Sequence, residues 1–213
     1  MQNSSTLKNE LIFEYASGTA SLPKSLMAST YLFLNSKESF LYSKFENYCG
    51  KEIHNVPQIK PKNLTAEKCI IEEKTPPTKI KKIFNPINNF VGELNNLNWK
   101  KIYSGFYEYN IKLSKNENAK LIKMEPGTKV PLHSHNGKEY ILVIEGNFCD
   151  EYGTYEKGNL QINDSKIKHT PIASKDKGCI CLTITEEELV FFGPLAPILN
   201  LITFIKSIIL KIR

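Results

Sequence analysis

The chain has 213 residues and a mass of 24.3 kDa, enough for one large domain or two small ones. Hydrophobic residues make up 41% of it and charged residues 23%, which excludes an intrinsically disordered chain. The net charge is +6, yet among 28 basic residues Arg213 is the sole arginine. Because the guanidinium fork reads bases and phosphates bidentately, this composition argues against specific nucleic-acid recognition.

The cysteines and the N-terminus favour a reducing compartment. No two of the five cysteines form a Cys-x-x-Cys pair, and the first residues show no basic segment followed by an apolar one, as a secretory signal would. We therefore expect a cytoplasmic protein with free thiols.

The N-terminal third has a helical pattern. Apolar residues recur near helical spacing from Leu11 to Tyr48, which predicts two or three short helices in a small domain over residues 1–50. Residues 51–96 are rich in proline and lysine and are predicted to be a linker. Short helices are expected within it at 64–73 and from Pro86 to Leu94. A helical unit this small has a thin core and needs a partner or a further contact.

From residue 97 the pattern changes to short apolar segments separated by turn signals. Strands are predicted within 99–113 and at 121–124, 140–144, 160–162 and 179–184. Short strands at this spacing predict an all-β barrel or sandwich. The fold class is therefore α+β, with an N-terminal helical domain, a linker and a C-terminal β-domain over residues 97–213.

The C-terminal tail, residues 189–213, is rich in Leu, Ile and Phe. Pro194, Pro197, Asn200 and Lys206 interrupt it and leave no apolar run long enough to span a membrane. A short helix near 198–211, packed on the protein, is the expected structure, and a peripheral membrane contact is the alternative.

Three of the four histidines lie in the β-region with spacing typical of a metal site. His133 and His135 stand two apart, so on a strand both imidazoles point to one face. Glu139 opens the next apolar run, and His169 lies thirty residues further on. Three imidazoles and a carboxylate suit one divalent ion such as Zn, Fe, Mn, Ni or Cu.

This spacing resembles the cupin family. The first cupin motif is Gly, five residues, His-x-His, three or four residues, Glu, six residues and Gly. Gly127, His133, His135, Glu139 and Gly146 match it throughout. In the second motif Gly158 and His169 are present, whereas its proline, inner glycine and asparagine are replaced by Asp164, Lys166 and Ala173. The resemblance implies a jelly-roll-like barrel that holds one metal ion through the three histidines and Glu139.

A narrower resemblance covers residues 10–48 loosely and 97–200 well. The segments 11–19, 146–151, 179–182 and 192–195 are similar to the ChrR-type anti-sigma factors, which join a helical zinc-binding domain to a C-terminal cupin. The resemblance implies that the helices bind an alternative, extracytoplasmic-function sigma factor, while the metal-bound cupin senses stress. Zinc is the metal expected in the cupin.

One departure concerns the helical domain. The family carries a His-x3-Cys-x2-Cys zinc motif there, but the matching positions hold Tyr31, Asn35 and Glu38, and no histidine precedes His54. These groups cannot assemble a tetrahedral zinc site. We therefore expect no zinc in the helical domain, whose fold would depend on apolar packing.

Three cysteines are candidates for core positions. Cys179 and Cys181 share one face of a predicted strand, where two such residues do not readily reach disulfide geometry. Small core residues are the favoured interpretation for both and for Cys149, with a redox pair as the alternative. His54 is expected to be a solvated linker residue.

Two functions follow from these observations. The two-part architecture favours a regulator that binds a sigma factor, and the four-ligand set is equally compatible with a cupin metalloenzyme of dioxygenase type. In the regulator, surplus apolar side chains of the helical segment would contact the sigma factor. The candidate contact residues are Leu11, Phe13, Tyr15, Leu26, Phe33, Phe40, Leu41 and Phe45. Alternatively, the same face docks on the barrel.

Overall fold

In a computed structural model, the described residues are 4–54, 85–113, 118–194 and 196–201. The helix expected at 64–73 lies outside them, as does most of the one expected at 198–211, although residues 196–201 are helical. Across the described ranges, no helix is long and apolar enough to cross a membrane.

Three helices form the N-terminal unit: α1 (Ser4–Ala16), α2 (Leu22–Leu34) and α3 (Ser39–His54). Helix α2 begins where the Ser21 hydroxyl accepts a hydrogen bond from the backbone N–H of Lys24, and proline occupies its first turn. Helix α3 runs to His54, so the domain boundary predicted at residue 50 is wrong by one helical turn. Helix α4 (Pro86–Val91) ends at Gly92, whose φ of 83° stops it before the predicted Leu94.

The β-domain has ten strands in the described residues, all paired antiparallel. They are β1 (Lys100–Tyr103), β2 (Phe106–Ile111), β3 (Asn118–Met124), β4 (His133–His135), β5 (Glu139–Asp150), β6 (Gly153–Glu156), β7 (Leu160–Asn163), β8 (Ile172–Ala173), β9 (Cys179–Thr185) and β10 (Leu189–Phe191). The main sheet has the order β1-β2-β3-β9-β5-β6, with β7 and β8 also paired to β5, and β4 pairs with β10. The predicted α+β fold class is confirmed.

Strand β5 is the centre of the domain and separates two apolar clusters. Tyr140, Leu142 and Ile144 point to the cluster that faces the helices, whereas Ile141 and Val143 point into the barrel. Both faces are therefore buried, which explains why residues 139–144 lack the polar alternation of a half-exposed strand.

A bulge and a glycine turn β5 between its two halves. The register with β9 shifts between Val143 and Glu145, and Gly146 follows with a φ of 69°. A Cβ at Gly146 would lie 2.1 Å from the Gly178 carbonyl oxygen. The closing glycine of the cupin motif is therefore required for this close backbone approach.

The helices dock on the outer face of the sheet. Helix α1 packs against β7 and α2 against β9, and Leu11, Ile12, Leu26 and Met27 are at most 2% exposed within the shared cluster. The expectation that Leu11 and Leu26 offer a partner-binding surface is wrong for this conformation. The barrel covers them because the helical unit alone cannot bury its apolar faces.

Truncation of Ile12 to alanine is expected to cost about 2–5 kcal/mol of unfolding free energy, because the side chain is fully buried between helix and sheet. Urea denaturation, followed by circular dichroism and by Trp99 fluorescence, measures this. The control, Phe40→Ala, changes a side chain that is 78% exposed and should shift stability by about 0.5 kcal/mol or less. Helices that melt separately from the β-domain would contradict the shared core.

Candidate metal centre

The four predicted ligands meet inside the barrel. His133 and His135 lie on β4, Glu139 begins β5, and His169 forms an antiparallel bridge with His133 through two backbone hydrogen bonds. All four are buried, and their ligand atoms lie within 4.8 Å of one another. The i, i+2 spacing and the bridge therefore bring the side chains to one point, as the sequence predicted.

The short distances show how tightly the side chains converge. Glu139 Oε1 is 3.0 Å from His135 Nε2, and Glu139 Oε2 is 3.2 Å from His169 Nε2. The Nε2 atoms of His133 and His169 are 3.1 Å apart. One carboxylate and three imidazole nitrogens thus surround a space that a single ion can fill.

Hydrogen bonds on the far side of the rings fix the tautomers. His133 Nδ1 lies 2.8 Å from the Pro131 carbonyl oxygen, and His169 Nδ1 lies 3.0 Å from Asp150 Oδ2. Both oxygens are acceptors, so each Nδ1 carries a proton. The Nε2 lone pairs then face the centre, as outer hydrogen bonds arrange them in metal sites.

His135 gives the best test of whether the group fits a metal. Among the described residues neither of its ring nitrogens has a hydrogen-bond partner, although the side chain is buried. Its Nε2 is close to Glu139 Oε1 but misaligned for a hydrogen bond. A buried imidazole without partners is costly, and a metal ion at the centre of the cluster would satisfy it.

Burial and charge act differently on the cluster members. Burial lowers the pKa of His133 to about 4, which keeps this ring neutral. Burial opposes the charge of Glu139, but contacts with His135 and His169 outweigh it and hold the Glu139 pKa below its usual range. For His169, burial is outweighed by Asp150 and Glu139, which raise its pKa to about 9.

Sequence reasoning missed the groups that hold the ligands. Asp150 accepts hydrogen bonds from His169 Nδ1, from Gln161 Nε2 at 2.7 Å and from the backbone N–H of Tyr152. Asn163 Nδ2 donates to Glu139 Oε2 at 3.1 Å. Asp150 was in a segment that carries the family resemblance, but nothing in its spacing indicated contact with His169.

A cavity of about 80 Å³ lies beside the cluster and is lined by His133, His135 and Glu139 with Phe106 and Phe148 among the apolar residues. A larger open groove of about 470 Å³ lies between α4 and the edge of the sheet at β1 and β2, and none of the four cluster residues lines it. The smaller cavity is the one with access to the candidate metal centre.

The predicted cysteine positions are as the alternating pattern of β9 requires. Cys179 and Cys181 are buried on the inner face, with their sulfur atoms 4.0 Å apart, and Cys149 is exposed. The core placement expected for Cys149 is therefore wrong, since its side chain points outward from β5. A hydrogen bond with Cys179, together with burial, raises the pKa of the Cys181 thiol well above its usual value.

The positions where the resemblance places helical zinc ligands carry a polar cluster instead. Glu38 Oε1 accepts from Lys8 Nζ at 2.9 Å and from the Tyr31 hydroxyl at 3.3 Å. Asn35 Nδ2 donates to the Gly158 carbonyl oxygen at 2.9 Å, across to the β-domain. These contacts join α1, α2 and the start of α3, and they tie the helical unit to the barrel.

The remaining candidate partner residues differ in exposure. Phe40 is 78% exposed and Phe13 39% exposed, with Phe13 packed edge-on against Phe45 at 5.4 Å between ring centres. The other side chains are partly buried, and they are Tyr15, Phe33, Leu41 and Phe45. Sequence reasoning missed Tyr48 and Ile53 of α3, which are 59% and 72% exposed.

The barrel and its buried His3Glu cluster define a cupin with a candidate metal centre. The family described as ChrR Cupin-like domain matches residues 88–187. Over 107 residues the chain is 33% identical to the anti-sigma-E factor ChrR of Cereibacter sphaeroides, a match that spans half of this chain and half of that relative.

The structural likeness extends further than the sequence match. A chain in the crystal structure of Rhodobacter sphaeroides SigE in complex with the anti-sigma ChrR superposes with a TM-score of 0.73 and 25% identity, covering 83% of this chain and 96% of that one. The similarity therefore includes the helical unit. Residues 88–187 are a ChrR-type cupin domain, and the resemblance to the ChrR-type anti-sigma factors is confirmed.

Purified protein is expected to contain one metal ion per chain, and His135→Ala should lose most of it because one of four ligands is gone. Elemental analysis after growth in metal-replete medium measures both. The double variant His135→Ala/His169→Ala should hold no zinc, and a full equivalent left in it would reveal a second site. His54→Ala is the matched control, since the fourth histidine lies at the end of α3.

Zinc affinity is expected to fall as the pH is lowered. With a pKa of about 9, His169 carries a proton at pH 7 in the metal-free protein, and the ion must displace it. Affinity should rise about tenfold from pH 7 to pH 8 and level off above pH 9, as measured by chelator competition. Asp150→Asn removes the carboxylate that raises this pKa and should flatten the slope, whereas exposed Asp176→Asn should leave it unchanged. Equal slopes in all three proteins would contradict the assignment.

Alkylation of the native protein should label Cys149 at least about a hundred times faster than Cys179 or Cys181. Cys149 is exposed, while the other two are buried and Cys181 remains a thiol. Iodoacetamide labelling followed by peptide mass spectrometry gives the three rates, and denatured protein serves as the control. Fast native labelling of Cys181 would indicate an open path into the barrel.

Proposed function

We propose that this protein is an anti-sigma factor that binds an extracytoplasmic-function sigma factor in the cytoplasm through its N-terminal helices. The observation that carries the proposal is the structural match to a chain of the SigE–ChrR complex, which extends across the helices and the cupin together. An enzyme has no need of a helical unit docked on the outer face of its barrel. A regulator needs two parts, one to hold the partner and one to receive a signal.

The outer surface of α3 is the proposed contact with the sigma factor. Phe40 and Tyr48 lie eight residues apart, on one side of the helix, and both are largely exposed. Exposed aromatic side chains on a folded domain are typical of binding sites. The inward faces of α1 and α2 are occupied by the barrel, so α3 supplies the free apolar surface.

The proposed cofactor is one zinc ion held by His133, His135, Glu139 and His169. Four protein ligands complete the tetrahedral coordination that zinc prefers, and nitrogen and oxygen donors suit it. When bound, zinc would supply a fixed positive charge and cross-link β4, β5 and the segment at His169. A stress signal that disturbs this site would then change the barrel that supports the helices.

A metalloenzyme is the alternative, favoured by the cavity next to the cluster. Its volume of about 80 Å³ compares with roughly 300–1,000 Å³ for pockets that hold drug-sized ligands. The space admits a molecule of a few atoms, such as dioxygen, but no organic substrate. The regulator is therefore the better-supported function.

Co-expression of the full chain with each extracytoplasmic-function sigma factor of its own cell tests the proposal. One sigma factor should co-purify stoichiometrically, and Phe40→Asp/Tyr48→Asp should weaken its binding by about thirtyfold or more, since each central aromatic contact contributes about 2 kcal/mol. Phe90→Asp, in exposed α4, is the control. If no sigma factor binds the wild type, the regulator is rejected.

A further inference from the structure

We infer that the loop between the metal ligands His135 and Glu139 couples the state of the metal centre to the docking of α1 and α2, with Glu186 as the connecting side chain. The inference deepens the proposed function and rests on it only for the meaning of the signal. The coupling itself is a property of this chain and is measurable without a partner.

The loop is pinned to Glu186 by its backbone. The backbone N–H of Lys138 donates to Glu186 Oε2 at 3.0 Å, and the backbone N–H of Glu186 donates to the Lys138 carbonyl oxygen at 3.1 Å. A Cβ at Gly137 would lie 3.0 Å from the Glu186 Cβ. The close approach of this loop to Glu186 therefore leaves little space for any side chain at residue 137.

The other carboxylate oxygen of Glu186 reaches the helices. Glu186 Oε1 is 3.2 Å from Lys24 Nζ, in the first turn of α2, and Glu14 of α1 is 3.7 Å from the same ammonium group. The Lys24 side chain is only 15% exposed, so solvent screens this pair less than a surface one. One carboxylate thus connects the ligand loop to both docked helices.

Two further contacts run along the same path. Lys138 Nζ lies 3.3 Å from Glu10 of α1, a more exposed and weaker pair. Tyr140, directly after Glu139, is buried in the cluster shared with the helices, with Lys24 Nζ 5.6 Å from its ring centre. The ligand Glu139 therefore has a helix-contacting residue on each side.

An ion at the centre would fix both ends of this loop. His135 has no hydrogen-bond partner within the described part of the chain, so without an ion little holds it in place. Movement of His135 or Glu139 shifts Lys138 and Tyr140, and with them Glu186 and Lys24. Such coupling is reciprocal: what tightens the docked helices also tightens metal binding.

Hydrogen exchange on the full-length protein, with zinc and after chelation, tests this coupling. Zinc should slow exchange of the amides in α1 and α2 by about fivefold or more, the lower end of typical coupling between sites. In Lys24→Met, which keeps the side-chain stem, and in Glu186→Gln, which keeps an acceptor for Lys138, the zinc-dependent difference should shrink to less than half. Chelator competition establishes that both variants still bind zinc.

The control is Lys8→Met, which breaks an ion pair with Glu38 inside the helical unit and makes no contact with the ligand loop. It should raise exchange in both states yet keep the zinc-dependent difference. Unchanged helix exchange in zinc-bound wild type, or an undiminished difference in both variants, would overturn the inference, as would a wild type that binds no zinc. Sigma-factor binding does not enter this measurement, so a failed coupling leaves the proposed function to its own test.

Discussion

The first half of strand β5 has no solvent-facing side, and the rest of the molecule depends on that constraint. Its odd-numbered residues, from Glu139 to Val143, face the barrel interior and the candidate metal centre. Its even-numbered residues, from Tyr140 to Ile144, form the floor on which α1 and α2 pack. Because successive strand residues alternate sides, no change in the position of this strand can affect one face alone.

The sequence was sufficient to identify the ligands because their spacing reflects local geometry. His133 and His135 share a face on any strand, so β4 needed no tertiary information. The docking of the helices was left open, since an apolar face at Leu11 or Leu26 is equally compatible with a partner and with the barrel. Asp150 was unpredictable as a support of His169, because the hydrogen bond joins distant segments through the fold alone.

The polar cluster in the helical unit shows how a short domain can be held without soft ligands. Lys8, Tyr31 and Glu38 come from three consecutive elements and meet at one carboxylate oxygen. Contacts of this kind, partly open to solvent, are each weak. The larger contribution to the helical unit comes from Leu11, Met27 and their neighbours against the sheet.

The shared core also imposes an order on the birth of the molecule. The apolar faces of α1 and α2 leave the ribosome first, but Leu182 and Ile184 of β9, which cover them, are synthesised near the end of the chain. At about 5–20 residues per second, the helices wait roughly 10–30 seconds for their covering surface. Throughout that interval nascent chains expose residues that the mature protein hides, and a chain that terminates before β9 never conceals them.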